Sequence, residues 1–159
     1  DGKLLRVDVH GEVPPDSRAE MIEAKGVLAL VTGGASESQK SKLVPVKKGE
    51  KVALTDKLVF KISETGKPEW GDDPLSVTLE INRDIPEVAE VTFYDADGKL
   101  IESSAGGSSR MGLFKKVTVQ KSFNLKRKVD AFQVEMKLWT DLEEKEMPFK
   151  VTVAIGGNR

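Results

Sequence analysis

The residues able to do chemistry are a single histidine and scattered carboxylates. The chain contains His10 and no Cys, which excludes a thiol nucleophile, a cysteine zinc site, a disulfide and a multi-histidine metal site. A histidine base needs a nucleophile or an acid placed beside it, and no paired motif surrounds His10. It alternates with Leu5, Val7 and Val9, so we expect it to face solvent from a strand. We predict no catalytic residue.

Two acidic groups have the residue types of a calcium site or of a glycosidase. Asp72 and Asp73 together with the turn at 95–98 could offer oxygen ligands to Ca²⁺. Asp95 and Asp97 match two acidic positions of a calcium loop, but Lys99 stands where the third should be. A hairpin turn over Asp95-Ala96-Asp97-Gly98 therefore explains this group better than a metal does. We predict neither a metal nor a cofactor.

The second acidic group lies between Trp139 and Pro148 and contains Asp141, Glu143, Glu144 and Glu146. Two carboxylates hydrolyse glycosides when they face each other across a cleft. Asp72 and Asp73 are further candidates for such a pair. No spacing in the chain specifies that geometry, and a solvated hairpin tip explains the second group without chemistry. A hydrolytic enzyme is therefore the least supported hypothesis.

Composition limits the partners. The 159 residues carry 25 Lys+Arg against 26 Asp+Glu, with 38% hydrophobic and 32% charged residues. A chain of this length fits one domain, and its near-neutral charge provides no overall basic field for nucleic acid. We predict no nucleic-acid partner and no membrane span.

Charge is nevertheless segregated along the chain. Eleven acids lie between Glu64 and Glu102, whereas the stretch from there to Asp130 has seven cations and no acid. If the two stretches occupy opposite sides, the molecule is a dipole suited to assembly or to an anionic glycan; if they pair across strands, the charges cancel. The candidate binding residues are six of those seven cations together with an aromatic at a strand end: Arg110, Lys115, Lys116, Lys126, Arg127, Lys128 and Trp139.

Alternation with a period of two dominates the chain. Apolar residues alternate with other residues over 58–62, 76–81, 132–138 and 149–155, as in antiparallel strands with one buried face. Further strand candidates are 26–32, 42–46, 51–54, 90–94, 100–103 and 115–123. About nine or ten short strands without a βαβ rhythm favour an all-β, immunoglobulin-like antiparallel β-sandwich, with a barrel as the alternative.

Local composition also predicts loops, one possible helix and the domain organisation. Residues 33–41 and 103–109 are Gly/Ser-rich, and we expect two long mobile loops there. Residues 17–25 form either the only short helix or a strand. We predict one domain over 1–159, with a smaller N-terminal layer over 1–65 on a more regular sandwich over 74–156.

Three stretches of the sequence resemble a family of bacterial proteins. Residues 73–79 and 91–99, followed by 147–153, are similar to immunoglobulin-like proteins encoded beside type IV pilus-like genes in mucin-degrading gut bacteria. The resemblance implies a non-enzymatic surface or pilus-associated protein that self-associates or contacts host proteins or mucus. A pilin would open with a long apolar helix, which this sequence lacks, so we expect either that the helix was removed or that the protein is an accessory component.

The first residue of the sequence bears on where we expect the protein to be located. The chain starts at Asp1 rather than Met, as after removal of a signal peptide or an anchoring helix. We therefore expect an extracytoplasmic protein at the cell surface, at the outer membrane or in the periplasm. The leading hypothesis is an interaction or structural module with protein partners or self-association. The alternative is a carbohydrate-binding module that uses Trp70 and Trp139 as platforms.

Overall fold

The computed structural model describes residues 21–113 and 116–154, and every regular element among them is a β-strand. The side chains of residues 113 and 154 are left out of the description. The strands are β1 (Met21–Thr32), β2 (Ser36–Lys40), β3 (Val44–Pro45), β4 (Lys51–Ala53), β5 (Val59–Gly66), β6 (Leu75–Ile81), β7 (Val88–Tyr94), β8 (Leu100–Ile101), β9 (Ser103–Leu113), β10 (Lys116–Leu125), β11 (Ala131–Trp139) and β12 (Glu143–Ala154).

The chain divides into two compact units. One comprises Asp1–Leu30 with Lys145–Arg159, and the other comprises Val31–Glu144. Residues 65–74, where the sequence suggested a division, include the end of β5 and the connection to its sheet neighbour β6.

The larger unit is built from two antiparallel sheets. The first has the strand order β4-β5-β6-β10-β9, and the second has the order β2-β11-β7-β8, with β3 also paired to β11. Alternation fixes which side of each strand is buried. In β11, for example, Phe132, Val134, Met136 and Leu138 are buried while the residues between them are not.

One hydrophobic core joins the two sheets. Phe93 on β7 contacts Phe123 on β10 and Phe132 on β11, with ring centroids 5.2 Å and 5.3 Å apart and the rings edge to face. Phe93 and Phe132 are completely buried, as are Val77 on β6 and Leu125 on β10. Since β7 and β10 belong to different sheets, their inner faces share a core, and the predicted all-β antiparallel sandwich is confirmed.

The order of the strands bears on the immunoglobulin-like part of the prediction. Immunoglobulin sheets have the orders ABED and CFG. Here β5-β6-β10-β9 and β11-β7 follow the successions A-B-E-D and F-C, but the other neighbour of β11 is β2. In the immunoglobulin order this place belongs to strand G, which follows F in sequence. Strand β2 instead comes earlier in the chain than β7, β8 and β11. The immunoglobulin-like topology therefore stays a prediction.

The turn predicted at residues 95–98 is present, and its N–H groups satisfy the carboxylate of Asp95, which is buried. The carboxylate of Asp95 accepts hydrogen bonds from the backbone N–H groups of Asp97 and Lys99, at 3.0 Å and 2.8 Å. Gly98 has φ of 76°, a conformation that favours glycine. The carboxylate of Asp95 thus holds a hairpin turn together, at the position where the sequence analysis expected one.

Two loop predictions are wrong. Residues 103–109, expected to be mobile because they are rich in Gly and Ser, belong to strand β9, which is paired with β10 along its length. Residues 36–40, within the other predicted loop, form β2 and pair with β11. Sheet pairing outweighs the low strand propensity of these residues. In the region 17–25 the described part, from Met21 onward, is strand, whereas 17–20, like His10, lies outside the described residues.

Candidate functional site

The smaller unit carries an apolar surface on a two-stranded ribbon formed by β1 and β12. We call this surface the ribbon face. Because alternate residues of a strand share a side, it comprises Ile22, Ala24, Gly26, Leu28 and Leu30 from β1, and Met147, Phe149, Val151 and Val153 from β12. None of these residues is charged or carries a polar side chain.

The ribbon face is partly exposed: four of its nine residues are exposed, and the others, Ala24, Gly26, Leu28, Leu30 and Phe149, are half-buried. Met147, Val151 and Val153 expose 47%, 49% and 57% of their surface, and Ile22 exposes 40%. A two-stranded ribbon alone is marginally stable in water, and a contiguous apolar patch of this kind marks a contact surface. The ribbon face is therefore built to be covered.

A close contact fixes the pairing of the two ribbon strands. A Cβ atom on Gly26 would lie 2.6 Å from the Phe149 ring, so the ring lies directly over the glycine. An aromatic side chain covering a glycine on the neighbouring strand stabilises an otherwise weak position in a sheet. The contact also confirms that Gly26 and Phe149 share one side of the ribbon.

The opposite side of the ribbon carries its charges. Glu23 forms ion pairs with Lys150 at 2.5 Å and with Lys25 at 2.6 Å. The hydrogen bonds from Lys150 and then Lys25 lower the pKa of Glu23. Val27, 58% exposed, is on this same side. Covering the ribbon face would thus leave these ion pairs in solvent.

Three cations of the basic stretch predicted to bind a partner, Arg110, Lys126 and Arg127, form ion pairs within the larger unit. Arg110 forms a two-pronged ion pair with Asp84, at 2.6 Å and 2.7 Å. Lys126 lies 3.0 Å from Asp73, and Arg127 lies 2.5 Å from Asp95. All three acids come from the acidic stretch. The alternative in which the segregated charges cancel across strands is therefore the one that these pairs support.

The remaining predicted site residues are dispersed. Lys116 and Lys128 are exposed, and Lys115 lies outside the described residues. Trp139 is half-buried, because its side chain lies against Gly33, where a Cβ would be 3.1 Å from the ring. The Asp141 carboxylate next to it accepts hydrogen bonds from the N–H groups of Ala35 and Gly34, at 2.7 Å and 2.8 Å. The pKa of Asp141 is lowered by these bonds. This part of the predicted site is a structural corner.

Trp70, in contrast, is 82% exposed. It borders an open groove of about 380 Å³ on the outer face of the β5-β6-β10-β9 sheet. The floor consists of small polar side chains: Ser76, Thr78, Ser122 and Asn124. Sequence analysis named Trp70 but missed this floor, because its two halves, one on β6 and one on β10, are far apart along the chain and are brought together only by strand pairing.

The register shows how the floor is assembled. Thr78 lies opposite both Glu64 on β5 and Ser122 on β10, while Ser76 lies opposite Asn124. The hydroxyls of Thr78 and Ser122 are hydrogen-bonded at 2.8 Å. Small side chains in adjacent rows make the outer face concave there.

A β-bulge lies on each side of this floor. The β5–β6 register shifts between Ile62 and Glu64, and the β9–β10 register shifts at Ser122/Phe123. The first shift brings Glu64 opposite Thr78, on the outer face. The second leaves Gly106 as the extra residue of β9, and a Cβ on it would lie 3.0 Å from the Asn124 amide oxygen. Bulges are frequent where a sheet re-aims side chains towards a site.

The acids considered for hydrolysis do not form a facing pair. Asp73 pairs with Lys126, Asp141 binds loop amides, and Asp72, Glu144 and Glu146 are exposed. Over residues 21–113 and 116–154, no three potential ligands among His, Cys, Asp and Glu are grouped to hold a metal. No helix in the described part of the chain is long and apolar enough to cross a membrane.

Comparison of the chain with protein-family models, curated proteins and solved structures found no match.

Proposed function

We propose that the chain is a non-enzymatic interaction module that associates with a second copy of itself through the ribbon face. The observation that carries the proposal is a partly exposed, entirely apolar face on a ribbon to which the described residues contribute two strands. Such a ribbon needs another layer for stability. The two-sheet sandwich supplies a rigid body, and the ribbon supplies the contact.

The chemistry of the ribbon face favours a second copy. Two copies related by a two-fold axis would place apolar residues of one face against those of the other, with no charge buried. The ribbon strands have 12 residues each. At about 3.4 Å per residue and about 10 Å across two strands, facing ribbons cover on the order of 800 Å². That area corresponds to a weak, reversible dimer.

Sedimentation velocity over a concentration series tests this proposal. The chain should shift reversibly from monomer to dimer, and NaCl up to about 0.5 M should not weaken association, because apolar contacts are not screened. Val151→Lys should weaken the dimer at least about tenfold, since Val151 is half-exposed in one copy and each interface contains it twice.

The matched control is Val27→Lys, the same change at a similarly exposed valine on the opposite side of the same ribbon. It should leave dimerisation unchanged. Monomers at all concentrations would overturn the proposal, as would equal effects of the two substitutions. A ribbon face covered by another segment of the same chain would give the first of these results.

The cellular setting is part of the proposal. The resemblance of residues 73–79, 91–99 and 147–153 to pilus-associated immunoglobulin-like proteins favours an extracytoplasmic protein at the cell surface. A reversible self-association surface fits a component that assembles there. Fractionation of the native protein should recover it from the envelope or the medium, and recovery from the cytosol would refute this setting.

A further inference from the structure

We propose that the groove beside Trp70 binds a neutral oligosaccharide. The inference goes beyond self-association, and it rests on different residues in the larger unit. The volume of the groove, about 380 Å³, falls within the range of about 300–1,000 Å³ that is common for small-molecule sites. The groove combines one exposed aromatic side chain with several polar groups that converge on the same space.

Trp70 supplies the apolar part of the site. Its indole is 82% exposed on the connection between β5 and β6. Gly71, which follows it, has φ of 93°, so a tight turn presents the ring. An exposed indole has a flat apolar face and a polar N–H, which suits the C–H face of a pyranose ring and its hydroxyl groups.

The floor supplies hydrogen bonds from side chains. Backbone groups of β6 and β10 are already paired in the sheet, so a ligand lying on this face must bond to the side chains. Ser76, Ser122 and Asn124 offer hydroxyls and an amide that both donate and accept. A ligand rich in hydroxyl groups matches them. A peptide that binds by adding a strand needs a free sheet edge instead.

The charges at the rim select the kind of sugar. Glu64, Glu69 and Lys67 line the groove, which gives it a formal net charge of one negative. Sulfated or sialylated chains would be repelled by the two carboxylates. The structure thus assigns neutral saccharides to this groove.

The two bulges support a binding role for the same place. Regular pairing of β5 with β6 and of β9 with β10 would be the simplest sheet, yet the register shifts beside the floor on both sides. On β5 the shift brings Glu64 to the outer face opposite Thr78. On β9 the additional residue is Gly106, which leaves open the space that a side chain would take from Asn124.

Fluorescence titration tests the assignment directly. The chain has two tryptophans, Trp70 and Trp139, so with excitation selective for tryptophan the variant Trp139→Phe leaves Trp70 as the single reporter. The probes are cellohexaose, xylohexaose, chitohexaose and maltohexaose, with sulfated dextran as the anionic probe. We expect a saturable change in emission with at least one neutral hexasaccharide, and none with sulfated dextran.

Calorimetry on variants then separates the site from the rest of the surface. Trp70→Ala and Asn124→Ala should each weaken binding of the neutral sugar, the first by about tenfold or more. Leu100→Ala removes another exposed apolar side chain and should leave binding unchanged. Thermal unfolding of each variant confirms that it is folded.

Three results would overturn the assignment: no neutral hexasaccharide binds, binding survives in Trp70→Ala, or sulfated dextran binds better than every neutral probe. These results are independent of self-association, because Val151→Lys alters the ribbon face and none of the residues that line the groove. A variant that is monomeric and still binds sugar would separate the two properties.

Discussion

Phe93 provides the most demanding test of the sandwich core. It is completely buried, and its ring contacts Phe123 of the facing sheet and Phe132 of its own sheet. Replacing a buried phenylalanine with alanine costs about 3–5 kcal/mol. Since a small domain has about 5–15 kcal/mol of stability in total, Phe93→Ala should remove a large part of it.

A milder substitution separates ring contacts from lost volume. Phe93→Leu retains much of the buried volume but loses two edge-to-face pairs, each worth about 0.5–1.5 kcal/mol. We therefore expect a cost of about 1–3 kcal/mol, clearly less than that of the alanine variant. Combining it with Phe123→Leu should show a coupling energy of about 0.5–1.5 kcal/mol, because that pair joins the two sheets.

Urea unfolding followed by circular dichroism measures these values, provided that the slope with denaturant is unchanged. Leu100→Ala, at a position that is 59% exposed, should change stability by no more than about 0.5 kcal/mol. The shared core would be refuted if Phe93→Ala cost less than about 2 kcal/mol. It would also be refuted if the Phe93 and Phe123 substitutions were strictly additive.

Two electrostatic predictions follow from the ion pairs and capped carboxylates of the larger unit. Because loop N–H groups lower the pKa of Asp141 below its ordinary value, its charge stabilises the fold above the unfolded pKa of about 3.9, and this contribution is lost as pH falls through the folded value. The stability advantage of the wild type over Asp141→Asn should therefore be present at neutral pH and shrink below about pH 4 in urea titrations, and an advantage that grows on acidification would contradict the cause assigned. The exposed Arg110–Asp84 pair should show a favourable coupling in a double-mutant cycle with alanine that declines as NaCl is raised, whereas a coupling that is independent of salt would show that contacts other than charge hold the two side chains.

The strands that follow strict alternation were predictable from the sequence. The alternating apolar residues of 58–62, 76–81 and 132–138 are buried as expected, because a period of two places every second residue on the same face. The Gly/Ser run 103–109 carries no such signal. It becomes a strand through its pairing with β10, a long-range interaction that local composition does not encode.

The candidate sites were less accessible to sequence reasoning for the same physical reason. Trp70 was recognisable as a platform because tryptophan is rare here, but its exposure depends on a turn. The partners of Arg110 and Arg127 lie on loops that are distant along the chain, so the two arginines looked available for binding in the sequence. The ribbon face was visible only as the alternation at 149–155. That pattern predicts one apolar side but does not indicate whether anything covers it.

The position of β2 beside β11 has a consequence for the biosynthesis of the protein. Ser36 pairs with Trp139, and Lys40 pairs with Glu135. Strand β2 therefore cannot pair with β11 until about a hundred further residues have been synthesised. The sheet that contains β2, β7 and β8 lacks its central β11 until then. A nascent chain released early would expose the apolar sides of these strands. We therefore expect the two sheets of the sandwich to pack together only after residue 139 has left the ribosome. Folding would then occur in one late step and not progressively as each strand is synthesised.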